Sequence, residues 1–152
     1  MVPTSGNNYS YWKHHRIAWT GVGTQISNIR WYTPGNVAST WQLGTGGQLM
    51  VGLRDSGDHG CPTANYQQAT GTQGTTGHYI KDATNGHDYY KGQAATPGDA
   101  DNYTSASPLT VDTTVYNANG ASKSVVTQVK LVTDATQGDK SNITFTFLYD
   151  EI

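Results

Sequence analysis

The chain has 152 residues, with nine Lys and Arg against eleven Asp and Glu and a formal net charge of −2. That length fits one domain, since two would each be starved of core. The near-neutral balance gives no basic field for nucleic acid, and no apolar run approaches the ~18 residues of a membrane span. Leu, Ile, Val and Phe supply only 24 residues, a share associated with disorder only when net charge is high as well. Four Trp and ten Tyr replace part of the missing volume, each ring burying roughly 150–250 Å² when enclosed. A thin private core predicts that a partner surface completes the stability, as in homo-oligomers and lattice proteins. Cys61 is the only cysteine, so no intrachain disulfide forms, which tilts the reading toward assembly in a reducing cytoplasm.

In chain order, Val2 to Asn8 is a polar tail with neither a basic n-region nor an apolar h-region, so no secretion signal is expected there. Residues 1–12 are expected as a flexible N-terminal arm ending in Tyr9, Tyr11 and Trp12, able to dock on a neighbouring subunit. Residues 13–152 are expected as a single β-sandwich domain. His15, Ile17 and Trp19 alternate with polar or small neighbours, Gly21-Val22-Gly23 supplies turn chemistry, and Thr24 to Thr33 resumes a strand, a pattern that predicts a hairpin. Ile29 and Trp31 share one face of the second strand, Arg30 and Tyr32 the other, before Pro34-Gly35-Asn36 stops it. A strand is expected at Trp41 to Leu43 and another at Gln48 to Arg54, with Leu49, Val51 and Leu53 facing one way and Met50 the other.

From Asp55 to Ser107 the chain forms a Gly/Thr/Asn-rich central insertion, too long for one structureless loop. Short strands are expected near Tyr66 to Thr70, His78 to Lys81 and Asp88 to Gly92, with a long turn over residues 71–77. The last third is the most regular. Leu109 to Asn117 alternates around Val111 and Val115, Asn119-Gly120 has hairpin chemistry, and Lys123 to Thr133 is apolar on both faces, as a central strand requires. Asn142 to Tyr149 places Ile143, Phe145, Phe147 and Tyr149 on one face. About eight strands joined by short turns predict an all-β protein, a sandwich of jelly-roll or Greek-key kind.

The segment Ile26-Ser27-Asn28-Ile29-Arg30-Trp31-Tyr32-Thr33, the small-residue-rich middle, and the end from Gln128 to Glu151 closing on Phe147-Leu148-Tyr149-Asp150-Glu151 resemble short β-rich virion proteins of tailed bacteriophages. These are capsid decoration (cement) or tail-associated structural proteins. The resemblance covers both ends of the chain and transfers no functional residues. It implies a protein made in the host cytoplasm without a signal peptide, located in the virion, and partnered by the major capsid protein and by copies of itself as a homotrimer.

No hydrolase elbow, phosphate loop or metalloprotease motif occurs, so no enzyme and no cofactor are expected. Asp55, Asp58, His59 and Cys61 gather carboxylates, an imidazole and a thiol, but their spacing fits neither an EF-hand loop nor a zinc pattern, and a polar turn is the favoured reading. Tyr9, Tyr11, Trp12, Tyr66, Tyr89 and Tyr90 are the expected partner-interface residues. In the alternative, Trp12, Trp41, Tyr66, Tyr79, Tyr89, Tyr90 and Tyr103 build a platform for sugar rings in a carbohydrate-binding or adhesion module, with a glycan as partner. Against that platform stands a reading in which the tryptophans are core and the tyrosines line a protein interface.

Overall fold

A computed structural model describes residues 2–21, 25–54, 79–84 and 98–152. Among these residues the chain is all-β, built from antiparallel sheets with one short helix and one 3₁₀ turn. The first sheet is organised by β9 (Ser124–Leu131). Along one edge it pairs with β5 (Gln48–Arg54), from Gln48 opposite Lys130 to Arg54 opposite Ser124, and β5 carries β6 (Gly98–Asp99) beyond it. Along the other edge lie β1 (Asn8–Tyr9) and β2 (Lys13–His15). The expected central strand is therefore central.

The second sheet has the order β10-β4-β7, with β4 (Ile26–Tyr32) between β10 (Thr146–Glu151) and β7 (Leu109–Asp112). It packs against the first sheet through Ile29, Trp31 and Val111 on its side and Leu49, Val51 and Val125 on the other. The opposite face of the first sheet carries a second cluster, in which Met50 and Val126 meet Trp12 and Ile80. This double burial explains why β9 is apolar on both faces, and it splits Leu49 and Val51 from Met50 as strand alternation requires.

In β4 the core residues Ile26, Ile29 and Trp31 are not evenly spaced by two, and a bulge reconciles them. Between Leu148 and Asp150 of β10 the partner positions jump from Arg30 to Ser27, so β4 holds an extra residue there. Asn28 occupies it with φ of 50°, a left-handed conformation that Asn tolerates better than most residues. Asp150 fixes the distortion by accepting from Asn28 Nδ2 at 2.8 Å and Arg30 Nη2 at 3.1 Å.

Several local expectations give way to long-range pairing. The hairpin over residues 15–33 does not form, because β2 pairs with β9 and β3 (Ala18–Trp19) pairs with β8 (Gly120–Ala121). Nor is Asn119-Gly120 the turn of a hairpin between β7 and β9. The strand β7 ends at Asp112 and pairs with β4, Val115 is half exposed, and Gly120 is paired with Trp19. Trp41 to Leu43 is not a strand but the turn that follows α1 (Val37–Thr40). That helix starts where Asp101 accepts hydrogen bonds from Val37 N at 2.6 Å and Ala38 N at 3.0 Å, satisfying two first-turn donors from far along the chain. Residues 79–81 form a turn rather than a strand, closed by Asp82 N donating to Tyr79 O at 2.8 Å. Ile143 and Phe145 reach the core from an irregular segment ahead of β10, and Tyr149 is half exposed, so the four do not form one buried face. The strands expected near Tyr66 and Asp88 and the turn over residues 71–77 lie outside the described residues.

The N-terminal segment expected as a flexible arm lies on the chain's own sheet. Asn8 and Tyr9 pair with Leu131 and Lys130, and Ser10 N donates to Val129 O at 2.9 Å. Val129 N in turn donates to Ser10 Oγ at 2.9 Å, and Gln128 Nε2 donates to Ser10 O at 2.8 Å. Gln128, buried in the strand, also accepts from Ile80 N at 2.9 Å through Oε1. One amide thus joins the N-terminal segment and the 79–82 turn to the central strand.

Candidate binding groove

An open groove of about 670 Å³ lies where the N-terminal segment, the turn after α1 and the chain beyond β9 meet. Its apolar lining comes from Val2, Trp41, Leu43, Val129 and Leu131, with Ser10, Thr136, Gln137 and Lys140 supplying polar groups. Val129 and Leu131 follow from β alternation, being two and four residues past Thr127 on one face of β9. The opposing wall is held by hydrogen bonds from Trp41 Nε1 to Ser141 O at 2.9 Å and from Thr136 N to Gln42 O at 3.0 Å. Lys140 Nζ donates to Thr136 O at 2.6 Å.

Beside the groove, Asp134 accepts from Thr45 N at 3.0 Å and Thr45 Oγ1 at 2.7 Å. The Thr45 hydroxyl and then its backbone N–H hold that carboxyl below its ordinary range. Gly44 has φ of 88°, and a Cβ there would run into Val132, Asp134 and Ala135. Chemically the groove suits an apolar segment or the flat face of a ring, with hydrogen-bonding groups at its rim. Lys140 is the one ionisable side chain among its described lining residues.

Trp12, expected at an interface, is fully enclosed with Met50, Ile80 and Val126, which fits the reading of tryptophans as core. Tyr9 is half-buried beside it and packs on Tyr79 with centroids 4.9 Å apart. Burial raises the Tyr9 hydroxyl pKa, aided by Tyr79 and opposed by a hydrogen bond from Asn7. Tyr11 is half-buried, with Lys13 Nζ 5.7 Å from its ring centroid. Tyr66, Tyr89 and Tyr90, and the Asp55, Asp58, His59 and Cys61 cluster, lie outside the described residues. Of the other platform aromatics, Trp41 lines the groove and, like Tyr103, packs against the inter-sheet core, whereas Tyr79 borders the second cluster. Among the described residues no group of three or more His, Cys, Asp or Glu could hold a metal ion. No helix among them is long and apolar enough to cross a membrane.

Two polar positions that carry the architecture have no signal in the sequence. Asp112 is buried and accepts from Thr114 N at 3.0 Å, Tyr116 Oη at 2.7 Å and Lys123 N at 3.2 Å. Burial would raise its pKa, but the hydrogen bonds from Tyr116, Thr114 and Lys123 outweigh that and lower it. Gln128 is the second, a polar residue between valines whose partners come from both ends of the chain. The chain matches no protein-family model, and no curated protein or solved structure matches it.

Proposed function

We propose that this chain is a structural virion protein of the capsid-decoration kind, which stabilises a tailed-bacteriophage shell by binding across adjacent capsid subunits, as a homotrimer. The observation that carries this reading is the open apolar groove, where Trp41, Val129 and Leu131 are only partly covered by the described residues of the single chain. A capsid segment seated there would bury its own side chains, each fully buried Leu or Val contributing about 1.5–3 kcal/mol. Three copies engaging three subunits turn such modest contacts into avidity, which raises the temperature needed to separate the shell. The small aliphatic content of the chain supports a fold completed by neighbours. The test is co-sedimentation with undecorated capsids, comparing the native chain with Trp41→Ala and Leu131→Ser, both at half-buried lining positions. Loss of binding in both folded variants supports the reading; undiminished binding, or no binding by the native chain, overturns it.

A carbohydrate-binding or adhesion role is the second reading, favoured by one feature of the same groove. The Trp41 ring lies with Thr136, Gln137 and Lys140, a combination that can stack a pyranose and hydrogen-bond its hydroxyls. A glycan array probed with the isolated protein separates the two. Saturable binding abolished by Trp41→Ala selects the adhesion role, and an empty array overturns it.

A further inference from the structure

We infer that β10 is a self-recognition edge, through which two copies of this chain join their second sheets by antiparallel pairing about a twofold axis. Among the described residues, in the order β10-β4-β7, the strand β10 is paired on one side only. Ile152 exchanges both backbone hydrogen bonds with Gln25, at 3.1 and 3.2 Å. In an antiparallel ladder such pairs recur at every second residue, so Phe147, Tyr149 and Glu151 direct their N–H and C=O groups away from β4. Unpaired groups in a row are a template for another strand. Two of the three large hydrophobic residues exposed among the described residues belong to this strand and its end, Tyr149 at 47% and Ile152 at 71%.

The charge pattern selects the occupant and its direction. Thr146 to Tyr149 are neutral and Asp150 and Glu151 are acidic, so a parallel copy would stack like charges side by side, a destabilising arrangement. An antiparallel copy sends each acidic end toward the other's neutral end. A twofold axis perpendicular to the sheet must pass through a residue position, because opposed residues share a face. Centring it on Leu148 sets Phe147 against Tyr149 as an aromatic hydrogen-bonded pair and Thr146 against Asp150. Centring it on Tyr149 would instead set Leu148 against Asp150 and Phe147 against Glu151, apolar against charged. Leu148 is thus placed against its own copy in the closely spaced, non-hydrogen-bonded position. This inference goes beyond the assembly reading and does not depend on it, since a twofold contact can link decorating trimers or act alone.

The test uses the full chain. Sedimentation velocity of the native protein is expected to show the mass rising with concentration from 16.4 kDa toward twice that value, with an affinity on the order of micromolar, as befits a small interface. Tyr149→Lys, at a half-exposed position, should keep the thermal melt unchanged and weaken dimerisation at least about tenfold, because lysine blunts strand edges. In a Cys61→Ser background, Leu148→Cys should give a disulfide-linked dimer under mild oxidation and Tyr149→Cys should not. A native chain that stays monomeric at about 0.5 mM, far above that affinity, overturns the inference. So does dimerisation unaffected by Tyr149→Lys, or cross-linking through Tyr149→Cys in place of Leu148→Cys.

Discussion

Replacing Asp112 by Asn is the sharpest test of how the second sheet is held to the chain that follows it. The Asp112 carboxylate is 1% exposed and accepts from Tyr116 Oη and from the backbone N–H groups of Thr114 and Lys123. Hydrogen bonds to a charged acceptor contribute about 1.5–3 kcal/mol each. Asn keeps one acceptor oxygen but turns an NH₂ toward a site that now faces donors, so at least one bond is lost without replacement. The expected destabilisation at pH 7 is about 2–3 kcal/mol, or a fall in Tm of roughly 4–12 °C for a chain of this size. Because the folded carboxyl binds its proton less readily than the unfolded one, its contribution is present above the ordinary value of about 3.9 and lost as pH falls through the lower folded value. Urea denaturation of both proteins should show a gap constant from about pH 8 to 5 that closes below about pH 4. Val115→Thr, at a half-exposed neighbouring site, should stay within about 0.5 kcal/mol of wild type. A gap below about 0.5 kcal/mol at pH 7, or one that persists unchanged to about pH 2, would refute the reasoning.

Gln128→Ala should cost about 2–3 kcal/mol, since Ile80 N and Ser10 O both lose a buried partner, and limited proteolysis should then cut within residues 2–10 faster than in wild type. Gly44→Ala is expected to cost at least about 2 kcal/mol, read from the urea midpoint, because the left-handed backbone and the crowding by Val132 and Asp134 add. His15 is held below its ordinary pKa by burial and then by Lys13, with Nε2 3.2 Å from Thr127 Oγ1. Its neutral form is the one the fold favours, so that stability is present above about pH 6.5 and lost as pH falls through the lower folded value. His15→Gln should therefore lose less stability than wild type between about pH 7 and 5, compared by chemical denaturation.

Where burial is symmetric or alternating, the residue pattern was sufficient. The boundaries and faces of β5, the central position of β9 and the shared face of Ile29 and Trp31 all follow from period-two apolarity, since each apolar residue must leave water on its own account. The groove was less legible. Trp41 could be singled out as an aromatic, but its company of Val2, Leu43 and Val129 depends on three segments converging. The hairpins misled because glycine-rich turn chemistry is a local property, whereas pairing is decided by which strand buries more surface. For Lys13–His15 that partner is β9, and for Leu109–Asp112 it is β4.

The sequence alone determined that this chain would be all-β, with a small aliphatic core supplemented by rings and no intrachain disulfide. Those conclusions rest on composition and on the pleat, which each residue expresses without reference to distant ones. Only the tertiary structure decided that the N-terminal segment lies on its own sheet, that Asp101 starts the helix at Val37, and that β10 has one strand partner among the described residues. Each depends on which distant segment supplies the hydrogen-bond partner, and a backbone amide looks the same in sequence whichever partner it finds.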